Sequence, residues 1–278
     1  MTKMRITIVV ENTAHGPMLL AEHGLAYWIE YDGRHVLLDS GQGGVLVNNT
    51  YRLEIALREI DALILSHGHY DHTGGVAEAL KTNRPVMIYA NTAAFARKFI
   101  RKSDGTARDI GMPYLSSKAI RDSRNRLMPT EKPTMIFDWL TVTGTVPRLT
   151  DFEDTGGPFF LDEACKRPDP LEDDQSAFFD TAEGIVVLLG CAHSGVINTL
   201  RYIRQLTDNR PICTVIGGMH LVGASPHRVQ RTIEELQGIG VERLAPAHCT
   251  GMPATVALWN AFPGRCLSCP VGTRFEFD

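Results

Sequence analysis

The sequence predicts an α/β fold, and three observations point to it. Short β-branched runs bounded by Gly, Asp and Asn dominate the first sixty residues. Ala62-Leu63-Ile64-Leu65-Ser66 is almost wholly apolar, the pattern of a short strand buried on both faces. Strand-like and helix-like periodicities then alternate, as layered α/β chains require.

Taken in order, Ile6 to Val10, Ala26 to Tyr31 and Val36 to Asp39 read as strands, with Asp32-Gly33 as a tight hairpin turn. Leu53 to Arg58 has helical character ahead of the Ala62 strand. Gly74-Gly75 leads into a helix over Val76 to Lys81, and Val86 to Ala90 is the next strand. Residues from about 91 to 133 break the pattern. Thr92 to Lys102 reads as a basic amphipathic helix, and the remainder is rich in Arg, Ser and Asp with little periodicity. A structureless loop of that length is unusual, so the stretch is expected to be an inserted, mostly helical lid within one domain spanning 1–278. Its cations are Arg97, Lys98, Arg101, Lys102, Arg108, Lys118, Arg121, Arg124 and Arg126. They form either a solvated surface or a lid that attracts an anionic substrate. Strands resume at Met135. Ser176 to Phe179 pairs with Ile185 to Leu189, Val196 to Leu206 is a helix, and Ile212 to Ile216 is a strand. Pro226 to Gln237 is a helix, and Arg243 to Pro246 is the final strand.

Composition narrows the function classes. Apolar residues make up 44% and charged residues 22%, a globular balance that argues against wholesale disorder. With 28 Lys and Arg against 32 Asp and Glu, the formal charge of −4 leaves no broad basic field for a nucleic-acid backbone. Six irregularly spaced cysteines do not make a disulfide scaffold. The opening apolar run is far shorter than a signal-peptide core, and nothing approaches the ~20 apolar residues of a membrane span. A cytoplasmic protein with a small-molecule partner is expected, without nucleic acid or membrane; self-association stays open.

Chemistry concentrates in Ser66-His67-Gly68-His69-Tyr70-Asp71-His72-Thr73-Gly74-Gly75, where three imidazoles and a carboxylate fall within six positions after a buried strand. Imidazole suits zinc, iron, nickel or copper, and the carboxylate adds charge and hardness. His67 and His69, two apart on extended backbone, point the same way; Asp71 and His72 fall at the turn into the helix and can face a second centre. Further histidines, His193, His220 and His248, each follow a short apolar strand and a small-residue loop, where α/β folds gather their active sites. Cys191 and Cys249 sit beside two of them and read as small buried filler. Cys266-x-x-Cys269 reads as two thiols more readily than as a zinc half-site or redox pair.

These motifs resemble the metallo-β-lactamase superfamily. Glu22-His23-Gly24, Leu38-Asp39-Ser40-Gly41, Asp173-Asp174-Gln175, Gly190-Cys191-Ala192-His193-Ser194-Gly195 with Asn198, Gly217-Gly218-Met219-His220-Leu221 and His248-Cys249-Thr250-Gly251 extend the likeness. It narrows to the branch of an archaeal dihydropteroate-synthase-like enzyme of methanopterin biosynthesis. The resemblance implies a four-layer αββα sandwich and one or two divalent metal ions, zinc first, with manganese or iron as alternatives. His67, His69 and His193 would hold one ion and Asp71, His72 and His248 the other. Asp39 would support a ligand histidine, while Glu22, His23 and Tyr70 could enter the pocket. The superfamily usually ends the strand before His220 with a bridging acid or thiol. Here that strand ends Gly217-Gly218-Met219-His220. A neutral imidazole has one free lone pair and cannot bridge, so His220 would bind one metal terminally or contact substrate.

The expected activity is hydrolysis by a metal-bound hydroxide of a small anionic substrate, foremost a phosphate ester, with Asp71 accepting a proton or orienting the hydroxide. One alternative is a pterin-diphosphate-dependent transferase that joins an aryl ribosyl phosphate to the pterin through a C–N bond, with loss of pyrophosphate. The other is a non-hydrolytic metal- or redox-binding protein.

Overall fold

The computed structural model describes residues 3–82, 84–121 and 125–278. The chain runs through strands β1 (Met4–Val10), β2 (Ala26–Tyr31) and β3 (Arg34–Leu38), helix α1 (Leu46–Arg52), strand β4 (Ala62–Ile64), the one-turn helices α2 (Tyr70–Thr73) and α3 (Val76–Ala79), and strand β5 (Met87–Ala90). Strands β6 (Phe99–Arg101) and β7 (Ala107–Asp109), helix α4 (Tyr114–Ile120) and strand β8 (Arg126–Pro129) follow. Next come β9 (Thr134–Phe137), β10 (Leu140–Val142), β11 (Phe159–Phe160), β12 (Ala177–Thr181), β13 (Gly184–Leu189), α5 (Val196–Leu206) and β14 (Ile212–Gly218). The series closes with α6 (Pro226–Ile239), β15 (Arg243–Ala247), α7 (Met252–Ala261) and β16 (Arg274–Phe277). The elements divide into two compact units. The first holds the residues up to Pro129 with Phe159–Asp169 and Pro270–Asp278; the second holds Thr130–Pro158 and Pro170–Cys269.

The first unit is built on a seven-stranded sheet of order β16-β1-β2-β3-β4-β5-β8. Asp32 and Gly33, at φ of 49° and 68°, form the two-residue turn that folds β2 back on β3 with matching twist. Beyond β3 the strands run parallel, β3 to β4 to β5 to β8. One face buries Val10, Trp28, Leu37, Leu46, Leu63, Val76, Ile88 and Ile120 as a continuous core. The second unit repeats the plan in a six-stranded sheet of order β15-β14-β13-β12-β10-β9. Strands β12 and β13 pair antiparallel, and β13, β14 and β15 run parallel. Helix α5 buries Val196, Ile197, Leu200 and Ile203, and packs them with Ile233 and Leu236 of α6 and Leu258 of α7. No helix among the described residues is long and apolar enough to cross a membrane.

Several local expectations are corrected. The helix near Leu53 lies earlier, at Leu46–Arg52, and only a 3₁₀ turn occupies Leu57–Glu59. The helix from Val76 stops at Ala79. Arg243–Ala247 is not the last strand, because β16 pairs antiparallel with β1 at the sheet edge. The largest change concerns residues 91–133, which are not mostly helical. Thr92 to Lys102 forms a 3₁₀ turn, Thr92–Phe95, and then strand β6, which pairs with β7 and β11. Strand β8, near the far end of the segment, is the edge of the seven-stranded sheet.

Several cations of that segment have partners inside the first unit. The Lys98 ammonium is buried and donates to Asp169 at 2.9 Å. Arg101 donates to the Cys165 carbonyl and lies over the Phe160 ring; Arg108 lies over Tyr70. Arg97 is exposed beside Asp109 and over Phe99. Arg124 falls outside the described residues. Lys98→Ala is expected to destabilise the fold by about 3–5 kcal/mol, because Asp169 would keep a buried charge without this cation. Urea unfolding checks this; a loss below about 1 kcal/mol would mean that the pair contributes little.

Candidate functional site

In the first unit the site grows from the carboxyl ends of adjacent parallel strands, where α/β sheets place their chemistry. Asp39 follows β3 with a left-handed φ of 60°, and its backbone N–H donates to Ile64 at 2.8 Å. That turn delivers a fully buried carboxylate to the end of β4. Asp39 Oδ1 accepts from the Ser66 backbone N–H at 2.7 Å, while Oδ2 accepts from the Ser66 hydroxyl at 2.6 Å. Oδ2 also accepts from His72 Nδ1 at 2.7 Å. Because the Ser66 hydroxyl gives its proton to Asp39, its oxygen accepts from His67 Nδ1 at 2.9 Å. One carboxylate thus fixes the tautomers of two imidazoles and leaves Nε2 of each as the lone-pair nitrogen.

His67 Nε2 lies 2.9 Å from His69 Nδ1, and all three imidazoles are buried. Asp71 Oδ2 is 4.0 Å from His72 Nε2 and 3.1 Å from Nε2 of the exposed His23. Glu22 turns elsewhere: its carboxylate accepts from the backbone N–H groups of Gln42, Gly43 and Gly44 at 2.9 to 3.1 Å. Burial raises its pKa against those hydrogen bonds. Tyr70 is half-buried, with its ring under Arg108.

In the second unit the donors again follow parallel strands: Cys191 and His193 after β13, His220 after β14, and His248 after β15. Ala192, His220 and His248 take left-handed φ of 53°, 44° and 50°. His193 Nδ1 donates to the Thr155 carbonyl at 2.8 Å, so its Nε2 is again the lone-pair nitrogen. The rings of His193 and His220 lie 4.2 Å apart. Donor atoms of Cys191, His193 and His220 lie within 4.8 Å of one another, as do those of Cys191, His248 and Cys249. Burial pushes the His220 imidazole down, but Cys249 beside it pulls it up, and the net direction is up. Burial would raise the Cys249 thiol; Cys191 and His220 draw it well below its ordinary value instead. Asp174 accepts from the Ser194 N–H at 2.8 Å, and burial raises it to about 6. Cys266 and Cys269 form no disulfide and join no donor group among the described residues; burial holds the Cys266 thiol up at about 12.

A cavity of about 560 Å³ in the same unit has none of these donors in its wall, but two of its lining residues, Thr155 and Gly156, touch His193 and His220. Thr155 and Gly156 line it; a Cβ at Gly156 would lie 1.7 Å from His220 Cδ2, so only glycine leaves room for that ring. Arg228, His227 and Arg231 of the first turns of α6 line it too. Arg228 is 5% exposed, pairs with Asp154, and its buried Nε makes no hydrogen bond. Nothing in the sequence signals Arg228, which reads there as one more polar position on an amphipathic helix.

Both donor sets suit a divalent cation: oriented imidazoles, a carboxylate and thiols, drawn from buried strand ends and from the short helix α2. Two nitrogens at 2.0–2.1 Å from one tetrahedral Zn²⁺ lie about 3.3–3.4 Å apart, so the His67–His69 pair at 2.9 Å needs to open by only about 0.4–0.5 Å to ligate one ion. A profile described as the metallo-beta-lactamase superfamily matches residues 20–248. The chain belongs to that superfamily. It is similar to the uncharacterized protein MJ0448 of Methanocaldococcus jannaschii, at 32% identity over 91% of this chain and 93% of that one. It is also similar to the same organism's 7,8-dihydropterin-6-methyl-4-(β-D-ribofuranosyl)-aminobenzene-5′-phosphate synthase, at 25% identity over 89% of this chain and 87% of that one. Among solved structures it is similar to Tm1679, described as a metal-dependent hydrolase of the β-lactamase superfamily, with a TM-score of 0.84 and 28% identity. That match covers 99% of this chain and 100% of Tm1679.

Asp39→Ala should lower metal affinity by roughly 10–100-fold, since it removes the group that orients two imidazoles. Competition with a chromophoric chelator measures this; an unchanged affinity would mean that packing alone orients the rings. Asp174 titrates with a defined sign. Its folded pKa of about 6 exceeds the ordinary 3.8, so between those values the folded chain holds a proton the unfolded chain has released. The stability it contributes is full below about pH 4 and is lost as pH rises through about 6. Asp174→Asn should flatten that stretch of the stability curve of metal-free protein, followed by urea unfolding across the window.

Proposed function

We propose that the chain is a metal-dependent hydrolase of a small anionic substrate, in the first instance a phosphate ester. The observation that carries this reading is the buried Asp39 carboxylate binding Ser66 and His72, because that network prepares imidazole nitrogens as ligands rather than as core polar groups. In this reading His67, His69 and His193 hold one cation and Asp71, His72 and His248 the other, as the superfamily motif implies. Divalent cations held there supply Lewis acidity and lower the pKa of water from 15.7 toward about 7.

The chain's own groups supply the rest. Asp71 Oδ2 accepts a proton and, 3.1 Å from exposed His23 Nε2, can pass it toward solvent. Arg228 and Arg231 on the cavity wall meet the anionic group of the substrate, and the buried Arg228 Nε is ready to donate. His220, beside the same wall, contacts the substrate or one cation.

A second reading, group transfer, is favoured by the similarity to the synthase from Methanocaldococcus jannaschii. A pterin diphosphate and an aryl ribosyl phosphate, supplied together in ¹⁸O-water with zinc- or manganese-loaded protein, separate the two. Label in a phosphate product marks hydrolysis; an aryl-joined pterin without label marks transfer. With simple phosphate esters, Arg228→Ala should raise KM by roughly 10–100-fold, the loss of a hydrogen bond to a charged group, and leave metal content intact. A KM that does not move would remove Arg228 from substrate binding.

A further inference from the structure

We infer that Asp154 is a built-in competitor for the anion seat on Arg228, so that the cavity at the start of α6 admits a phosphate dianion and holds a carboxylate poorly. The inference rests on the reading above, in which Arg228 meets the anionic group of the substrate. Arg228 lies in the first turn of α6, behind the Ser225 cap. Its Nη1 donates to Asp154 Oδ1, and its Nη2 to the Asp154 carbonyl at 3.4 Å. Its Nε is buried and makes no hydrogen bond, so the guanidinium fork is only partly engaged. Both residues lie on the cavity wall, with Arg231 beside them.

The pair is not built as Lys98 and Asp169 are, with side chains 1% and 3% exposed. The Arg228 side chain is 6% exposed and that of Asp154 is 72% exposed. A buried cation has therefore been given an anion that stands in solvent. A buried guanidinium left without a partner is costly, whereas an exposed carboxylate leaves an ion pair at little cost. The seat thus needs an anion at all times, and Asp154 is the one that can yield it. Glu153 cannot, because its two oxygens accept from the Ile197 and Asn198 N–H groups at the start of α5, each at 2.9 Å. An incoming anion competes with a rival tethered on the same chain, whose effective concentration is in the millimolar range. A monoanion only exchanges one carboxylate charge for another. A phosphate monoester, at about −1.5 to −2 near neutral pH, brings more charge and more acceptor oxygens, which Arg231 and the free Arg228 Nε can meet.

Calorimetric titration of metal-free protein with inorganic phosphate, and separately with acetate, reads this without any reaction. Wild type should take up phosphate, with acetate at least about tenfold weaker. Asp154→Asn keeps an oxygen for the Gly156 N–H, which now donates to Asp154 Oδ1 at 2.7 Å, and removes only the charge. It should tighten phosphate by about fivefold, the upper end for ion pairs with an exposed partner. Asp151→Asn removes the same charge from the same wall without touching Arg228, and should shift affinity by less than about twofold. Arg231→Glu should weaken phosphate and so locate it in this cavity. Wild type that binds too weakly to measure beside an Asp154→Asn variant that binds also supports the inference. Affinity unchanged or reduced in Asp154→Asn, or raised equally in Asp151→Asn, overturns it and leaves Arg228 in substrate binding. Acetate as tight as phosphate, or phosphate indifferent to Arg231→Glu, overturns it as well. If neither wild type nor Asp154→Asn binds phosphate, the inference and the assignment of Arg228 to the substrate both fall.

Discussion

Asp39 is the constraint on which the first unit's chemistry depends. A carboxylate with no exposure is costly unless every oxygen is engaged, and here its two oxygens take three hydrogen bonds. Those bonds reach the backbone after β4, the serine before His67, and His72 in α2. The same contacts that make the buried charge tolerable therefore set the register between the end of β3 and the ligand loop. Stability and ligand orientation are one network, so neither can be altered alone.

The second unit solves the corresponding problem with backbone rather than with a carboxylate. His193 is oriented by a main-chain carbonyl of the 151–157 loop, and the Arg148 guanidinium donates to the His193 carbonyl at 2.6 Å. His220 and His248 instead adopt left-handed backbone, which only a few per cent of non-glycine residues do, although Asn, Asp and His are enriched there. Strain of that kind persists where surrounding contacts over-determine the loop, which is a property of functional sites.

The legibility of the sequence follows the same physics. The strands that carry donors were readable because each is a short apolar run stopped by Gly or by a polar residue. The ligand cluster was readable because its residues are contiguous. Asp39 was legible only through family resemblance, since its partners lie 27 and 33 positions away. Thr92 to Lys102 misled because its residues suit a helix, yet Phe99 is buried in a three-stranded sheet and Lys98 on a buried carboxylate. Tertiary contacts override propensity in such a segment. Strand β16 was missed because four residues at a sheet edge, two of them phenylalanine, give too short an alternation to read.

That edge strand bears on how the chain is made. Strand β1 is made well before β16, so one of its two neighbours arrives late; Arg5 bonds to Glu276 across 271 positions. Until then a run of seven residues rich in Ile and Val presents an open row of backbone donors and acceptors. The second unit's sheet has no such debt, since its strands all lie within Thr134 to Ala247. In the interval between the making of β1 and of β16 the first sheet keeps an unpaired edge, and that edge is where an elongating chain is exposed to self-association or to a chaperone.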